Sequence, residues 1–226
     1  MNISSFTFFG VNPLPQPAVA NEILTRIKAD DMKNDANYKF LCYMDLTMNP
    51  VPAEESAVVD FAVCLLTLLD YAPRTRIIRR RSTSRLPSAE SNVIQQPMSV
   101  VDEDDILLLV QEDKRHKERK DPEPQLVTQA IAAFQTNNTR RTRVFSQVVN
   151  DAMVMPGITL VGSSPTFYKI PVTKEFAQGQ FPAAPIVVYA HLPAVPRPAR
   201  LSEGMKPLEN RWHILACCEA FRQFVN

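Results

Sequence analysis

The chain has 226 residues, of which 45% are hydrophobic and 22% are charged. These values are typical of a protein that folds around a core, and they exclude an intrinsically disordered chain. The 25 Lys and Arg residues almost cancel the 24 Asp and Glu residues, which excludes a globally basic nucleic-acid coat protein. Local basic patches are compatible with this balance.

The cysteine, histidine and hydropathy patterns exclude several further classes. Four irregularly spaced cysteines do not form the framework of a small disulfide-rich secreted protein, and the three histidines have no partners at the ligand spacing of a zinc site. The longest apolar stretch, Phe61 to Leu69, is far shorter than the roughly 20 residues that span a bilayer. The first residues also lack the pattern of a signal peptide. We therefore expect an intracellular protein of the cytoplasm or nucleus with no membrane partner, and the oligomeric state is left open.

The first 50 residues are interpreted as an N-terminal extension, followed by one domain from residue 51 to residue 226. Within the extension, the sequence predicts one helix, from Ala20 to Met32. The next segment, Glu54 to Asp70, has apolar residues on nearly every side of a helical wheel. This pattern predicts a buried helix at the start of the domain.

The central part of the chain predicts three strands. A short strand is expected from Thr75 to Arg79, then a polar loop from Arg79 to Ser91, then a weak strand at Val93 and Ile94. The run Asp105 to Lys114 is continuously apolar until it ends in charged residues. A strand in the centre of a sheet, covered on both faces, has this pattern.

The remaining elements complete a mixed α/β domain. Apolar residues at helical spacing predict an amphipathic helix from Gln125 to Gln135. Two strands are expected at Ile158 to Gly162 and Thr166 to Ile170, with an edge strand at Val187 to Tyr189. A final helix is predicted from Leu208 to Val225.

The residues with the clearest chemical potential lie at the end of the predicted central strand, in the sequence Glu112-Asp113-Lys114. Alternate residues of a strand share a face, so Glu112 and Lys114 are expected to point the same way. A carboxylate there is able to hold Mg²⁺, and a lysine is able to orient water or neutralise phosphate charge. This pairing suits phosphodiester hydrolysis, although a solvated strand end that enters a charged loop has the same pattern.

This pattern resembles the PD-(D/E)XK nuclease superfamily over about residues 52 to 170. The core of that family is a helix, a three-stranded meander, a helix and a strand, which implies a restriction-endonuclease-like fold here. The stretch ILLLVQEDKR followed by DPEPQLVTQAIAAFQ is also similar to fungal proteins that have no assigned role.

The resemblance implies specific site residues. Glu55 matches the acid of the first helix, Glu112 and Lys114 match the E-x-K motif, and Gln125 (or Gln129) matches the helix position that completes the site. It also implies Mg²⁺ or Mn²⁺ as cofactor. Considered alone, Glu55 and Gln125 are also explained as residues near helix N-termini.

The acid that the family places on the second strand is not obvious. Asp105 lies seven residues before Glu112, about 23 Å away along a strand and on the opposite face, so the two do not share one ion. The family's aspartate aligns with Asn92, whose carbonyl oxygen is a weaker ligand than a carboxylate. Glu90, two residues earlier, is the alternative second metal ligand.

The densest basic patch lies between the first predicted strand and the polar loop. Its candidate nucleic-acid-binding residues are Arg76, Arg79, Arg80 and Arg81. A solvated loop or a nuclear-import signal is an equally good interpretation of this patch. Few aromatic residues interleave with it, so a base-stacking platform is not indicated.

Three hypotheses follow for the function. The first is a metal-dependent nuclease that hydrolyses phosphodiester bonds, in DNA in preference to RNA. The second is a catalytically inactive nuclease-fold protein that binds nucleic acid or protein, because Asn92 stands where an acid is expected. The third is a structural α/β protein in which the match to the motif is accidental.

Overall fold

The computed structural model describes residues 8–49, 57–85, 93–103, 105–112, 121–180, 186–196 and 203–225, and for residues 81–85 and 93–97 the backbone only. Contacts divide the chain into two compact units. The first comprises Met1–Tyr71, Leu160–Thr166 and His191–Asn226, and the second comprises Ala72–Thr159 and Phe167–Ala190.

The described residues form a mixed α/β protein, as the sequence predicts. The α-helices are α1 (Asn21–Thr25), α2 (Asp35–Met48), α3 (Ala57–Leu68), α4 (Glu123–Arg143), α5 (Lys174–Ala177) and α6 (Leu208–Phe221). The strands are β1 (Arg76–Arg85), β2 (Val93–Asp102), β3 (Asp105–Glu112), β4 (Ala152–Val161), β5 (Ser164–Thr173) and β6 (Tyr189–His191). Short 3₁₀ turns lie at Ala29–Asp31 and Arg222–Phe224.

The strands form one open, mixed sheet in the order β1-β2-β3-β4-β5-β6. Strands β1, β2 and β3 are an antiparallel meander, with Arg76 opposite Asp102 and Met98 opposite Val110. The register of β2 and β3 shifts between Val100 and Val101, which is the signature of a β-bulge.

Helix α4 packs on the sheet of the second unit and forms its core. Leu126, Ala130 and Phe134 belong to a buried cluster that also includes residues of β3, β4 and β5. Gly157 allows this close approach, because a Cβ atom there would lie 3.0 Å from a methyl carbon of Leu126. A side chain at position 157 would require the Leu126 side chain to move by a few tenths of an ångström.

Asn137 of α4 fixes the start of β3. Its side-chain oxygen accepts a hydrogen bond of 2.9 Å from the backbone N–H of Ile106. Its amide nitrogen donates one of 3.0 Å to the carbonyl oxygen of the same residue. Asn137 is only 2% exposed, so both bonds are shielded from water and hold the strand in one register.

In the first unit, α2 and α3 pack against each other, with the rings of Phe40 and Phe61 5.7 Å apart. The side chain of Asn34 caps α2 by accepting a hydrogen bond from the backbone N–H of Ala36. The hydroxyl of Tyr71 donates a buried hydrogen bond to the carbonyl oxygen of Cys218 on α6. These contacts join residues from both ends of the chain.

The most deeply buried charge in the first unit is Arg211 of α6, whose exposure is 0%. Its guanidinium donates to the backbone carbonyl oxygens of Ile23, Arg26, Met205 and Lys206 at 2.8 to 3.3 Å. Burial lowers its pKa to about 10, so the group stays charged at neutral pH. One side chain thus holds α1 and the segment before α6 through a planar fork of donors.

The expectation of a polar loop from Arg79 to Ser91 is wrong over its first part. Strand β1 continues to Arg85 and pairs with β2 down to Val93. The remaining part of the predicted loop, residues 86–91, lies outside the described residues. The second strand is likewise longer than Val93 and Ile94, since it runs to Asp102.

The N-terminal prediction of one helix from Ala20 to Met32 is also wrong. That stretch holds the five-residue α1 and a 3₁₀ turn, whereas the main helix is α2, Asp35–Met48. Helix α2 buries Phe40, Leu41 and Met44 but also Asn37 and Thr47, so polar residues interrupt its apolar stripe.

The other predicted elements exist with shifted ends. Helix α4 runs to Arg143, beyond the predicted Gln135, and the edge strand begins at Tyr189 rather than Val187. Strands β4 and β5 turn at Gly162, which has a φ of +57°. None of the helices among the described residues has the length and apolarity needed to cross a bilayer.

We predict that Arg211→Met lowers the free energy of unfolding by about 3 kcal/mol or more, because it leaves several buried carbonyl oxygens without a donor. Urea denaturation followed by circular dichroism measures this change. The exposed Arg143 provides the control, because Arg143→Met should change stability by less than about 0.5 kcal/mol. Equal stability of the two variants would contradict the role of Arg211.

Candidate functional site

Glu112 lies at the end of β3, directly after the buried residues Ile106 to Gln111. It is half-buried, so its carboxylate lies at the boundary between the sheet and solvent. This is the position that the sequence predicts for the acid of the E-x-K motif. Lys114, the other residue of the motif, lies outside the described residues.

Gln125 contacts the face of β3 that lies opposite to the face of Glu112. The side-chain amide of Gln111 donates a hydrogen bond of 3.0 Å to the side-chain oxygen of Gln125 at the start of α4. Because neighbouring strand residues point to opposite faces, Gln111 faces α4 and Glu112 faces away from it. The structure therefore brings Gln125 to Gln111 and not to the face of Glu112. Gln129, one turn later, is buried with 1% exposure.

Gln111 is a residue that the sequence analysis did not identify. It is 6% exposed, and its side-chain oxygen is buried without a hydrogen-bond partner among the described residues. A glutamine inside a continuous apolar run is a signal that could have indicated it, because buried amides normally have partners for both polar atoms.

The register of β2 and β3 identifies the position next to Glu112. Met98 lies opposite Val110, and the same antiparallel register continued for two residues brings position 96 opposite position 112. Position 96 is Gln96, which pairs with Ser82 of β1 on its other side. Asn92, the residue that the resemblance predicts for the second-strand acid, lies outside the described residues.

Several of the predicted site residues lie outside the described part of the chain. They are Glu55, Glu90, Asn92 and Lys114, and for Arg81 only the backbone is described.

The described residues alone do not fit a magnesium site. No three His, Cys, Asp or Glu side chains come together within the described ranges. Mg²⁺ usually requires at least one or two carboxylates with oxygen ligands close around it. Of the metal ligands that the sequence predicts, Glu112 is the only one within these ranges.

Acidic residues at the other end of the meander form ion pairs. Asp105 lies 3.5 Å from Arg141 of α4, and Asp102 lies 3.2 Å from Arg76 of β1. Asp105 and Glu112 lie at opposite ends of β3. The pairing of Arg76 with Asp102 also reduces the positive charge at the start of β1.

Further along β1, Arg79 and Arg80 are both exposed. They lie opposite Ser99 and Met98 of β2, which carry no charge. Strand β1 is the first strand of the sheet and, among the described residues, pairs with β2. The result is a basic edge, defined here as the exposed residues Arg79 and Arg80 on the outer strand.

The cysteine thiols of α6 offer no alternative catalytic group. Burial raises the pKa of Cys217 to about 12, and burial also raises the pKa of Cys218. Both thiols are therefore protonated at neutral pH, and a protonated thiol is a poor nucleophile. They act as packing residues of the first unit.

Comparison with known proteins gives no relative of this chain. No family model, no curated protein and no solved structure matches it.

The hydrogen bond between Gln111 and Gln125 leads to a testable prediction. Gln125→Ala should lower the free energy of unfolding by about 1 to 2 kcal/mol, because the buried amide of Gln111 then lacks its partner. Gln111→Leu should cost less, because it also removes the buried oxygen that has no partner.

A double-mutant cycle with urea denaturation measures the coupling, which we expect to be about 1 kcal/mol. Additive effects of the two substitutions would show that the bond contributes nothing. Thr128→Ala, at an exposed position of the same helix, is the control.

Proposed function

We propose that this chain binds nucleic acid through the basic edge formed by β1. The observation that carries the proposal is the exposure of Arg79 and Arg80 on the outer strand of the sheet. No acidic residue occurs between Tyr71 and Ala89, while six arginines do. The guanidinium group suits this role because it binds phosphate oxygens with two parallel hydrogen bonds.

The order of elements supports a nuclease-like core for this protein. A helix (α3), an antiparallel meander (β1, β2 and β3), a helix (α4) and a strand (β4) follow one another along the chain. The PD-(D/E)XK superfamily has the same order. Our proposal includes the restriction-endonuclease-like form of this fold. It also includes DNA, in preference to RNA, as the nucleic acid that the protein binds.

An alternative role for arginines on an edge strand is structural, because charged residues there prevent pairing with other chains. This role requires charge but no binding partner. The two roles therefore differ in what the removal of the charge changes: affinity for nucleic acid in one case, and self-association in the other.

We predict that Arg79→Gln combined with Arg80→Gln weakens binding of double-stranded DNA on the order of tenfold at low salt. Fluorescence anisotropy with a labelled duplex measures the affinity. The control combines Arg26→Gln with Lys28→Gln, two exposed residues of the first unit, and thus removes the same charge. The account is wrong if both double variants bind alike, or if wild-type protein binds neither DNA nor RNA.

A second candidate function is phosphodiester hydrolysis that depends on Mg²⁺ or Mn²⁺. It is favoured by the half-buried Glu112 at the end of β3, two residues before Lys114. Because the described residues alone do not form a magnesium site, the metal would require further ligands from the segments that carry Glu55, Glu90 or Asn92. Without them the protein is an inactive nuclease-fold protein that binds nucleic acid or protein.

Hydrolysis is tested with DNA substrates in the presence of each metal. This candidate predicts that wild-type protein cleaves DNA and that Glu112→Gln or Lys114→Ala abolishes the cleavage. Glu123 is an exposed acid at the start of α4, so the control Glu123→Gln should leave the cleavage intact. Cleavage that survives the first two substitutions would contradict it, as would the absence of cleavage by wild type.

The strand register adds a second measurement. Titration of Mn²⁺ in a calorimeter should show tighter binding in Gln96→Asp than in Asn92→Asp, because the register continued from Met98 and Val110 brings position 96 opposite Glu112. Tighter binding in Asn92→Asp would show that the register does not continue to Glu112.

A further inference from the structure

The end of α4 and the loop that follows it are open to solvent. Seven consecutive residues, from Thr142 to Val148, are exposed. They include two apolar residues, Val144 with 62% exposure and Val148 with 86% exposure. Packing into the core therefore does not explain the sequence of this loop. Exposed loops on a folded scaffold are where binding and processing sites are concentrated.

Ser146 lies within this exposed loop. It is exposed, it belongs to no helix or strand, and its hydroxyl forms no hydrogen bond with the described residues. Its backbone has a φ of +51°, a left-handed conformation that is uncommon for residues other than glycine. The Ser146 hydroxyl is therefore accessible to an external enzyme.

Two arginines precede Ser146 at short, defined spacings. Arg143 stands three residues before it and Arg141 five residues before it, in the sequence RTRVFS. Arg143 is exposed, and Arg141 is partly exposed. Protein kinases distinguish their substrates by the charges around the acceptor residue, and carboxylates bind guanidinium groups with paired hydrogen bonds. The spacing and the exposure together suit a kinase that recognises arginines on the N-terminal side of a serine.

Access for such a kinase requires only the last turn of α4 to open. The backbone N–H of Val144 donates to the carbonyl oxygen of Arg140, and that of Gln147 donates to the carbonyl oxygen of Arg141, both at 2.8 Å. The guanidinium of Arg141 also lies 3.5 Å from Asp105, and these two side chains are 30% and 27% exposed. Partly exposed ion pairs contribute about 0 to 1 kcal/mol, and helix ends open at little cost. Arg141 is therefore able to exchange Asp105 for a carboxylate of the kinase.

We propose that Ser146 is phosphorylated by an arginine-directed serine/threonine kinase that recognises Arg141 and Arg143. The hydroxyl oxygen of Ser146 attacks the γ-phosphorus of ATP, its proton passes to the kinase, and the bond from that phosphorus to the departing ADP breaks. The phosphate adds a charge of about −1.5 to −2 at neutral pH. It therefore offsets at least half of the positive charge of Arg140, Arg141 and Arg143 in the last turn of α4. The proposal is independent of the basic edge, since none of these residues belongs to β1.

A second serine provides a comparison within the same chain. Ser84 also has arginines three and five residues before it, Arg81 and Arg79. Ser84 lies in β1 opposite Ile94 of β2, so its backbone is held in the sheet. A kinase that recognised the sequence alone would modify both serines, whereas the structure favours Ser146.

The arginines at the end of α4 also have a purely structural explanation. Cations in the last turn of a helix interact favourably with the helix dipole. This explanation requires arginines but no accessible serine after them, so it predicts no phosphate on Ser146.

The test is incubation of the full chain with a purified arginine-directed kinase, ATP and Mg²⁺, followed by mass spectrometry of the protein and its peptides. We expect the phosphate on Ser146, so Ser146→Ala should lose it and the control Ser84→Ala should keep it. Arg143→Gln should lower kcat/KM for phosphorylation on the order of tenfold, because a charged hydrogen-bond donor is lost. Arg26→Gln, at an exposed position of the first unit, should leave kcat/KM as in wild type.

Three outcomes would overturn the proposal. They are the absence of phosphate on Ser146, phosphorylation of Ser146 that the combined loss of Arg141 and Arg143 leaves unchanged, and modification of Ser84 in preference to Ser146. Since Ser146 is exposed, Ser146→Ala should fold as wild type does, which circular dichroism verifies. The same measurement on the arginine variants separates a loss of recognition from a loss of folding.

Discussion

The burial of β3 determines the geometry of the second unit. Six consecutive residues, Ile106 to Gln111, are buried, so this strand is held from both faces and lies between β2 and β4. The two hydrogen bonds of Asn137 to Ile106 fix where the strand begins relative to α4. Once the start is fixed, the two-residue period of the strand determines that Gln111 faces α4 and Glu112 faces away. The same constraint aligns β2, and with it β1.

Charge is distributed unevenly along the meander of β1, β2 and β3. At one end, arginines and carboxylates neutralise each other in the pairs Arg76–Asp102 and Arg141–Asp105. Further along β1, Arg79 and Arg80 are both exposed. Exposed arginines attract polyanions over roughly a Debye length, even when the whole protein is nearly neutral. This is why a net charge of +1 is compatible with our proposal.

The sequence predicted those elements whose signal is local and strong. The apolar run of β3 and the helical spacing of α4 depend on burial, which the residue types reveal directly. Helix α2 was missed because it buries Asn37 and Thr47, which break its apolar stripe. The end of β1 was missed because an edge strand needs pairing with β2 but little apolar surface.

The candidate site was less predictable than the fold for a physical reason. The position of Glu112 follows from its place at the end of β3. Which residue of β2 lies beside it depends on the register between β2 and β3. That register includes a bulge at Val100 and Val101, which no pattern in the sequence reveals. The hydrogen bond from Gln111 to Gln125 likewise depends on how α4 lies on the sheet.

The most direct measurement of the central claim is the salt dependence of DNA binding. If Arg79 and Arg80 contact phosphates, replacing each with Gln should reduce the slope of log Kobs against log salt concentration by about 1. The matched loss of Arg26 and Lys28 should leave the slope as it is in wild type. Parallel lines for wild type and the β1 variants would contradict the account, because those arginines would then displace no counterions from the nucleic acid.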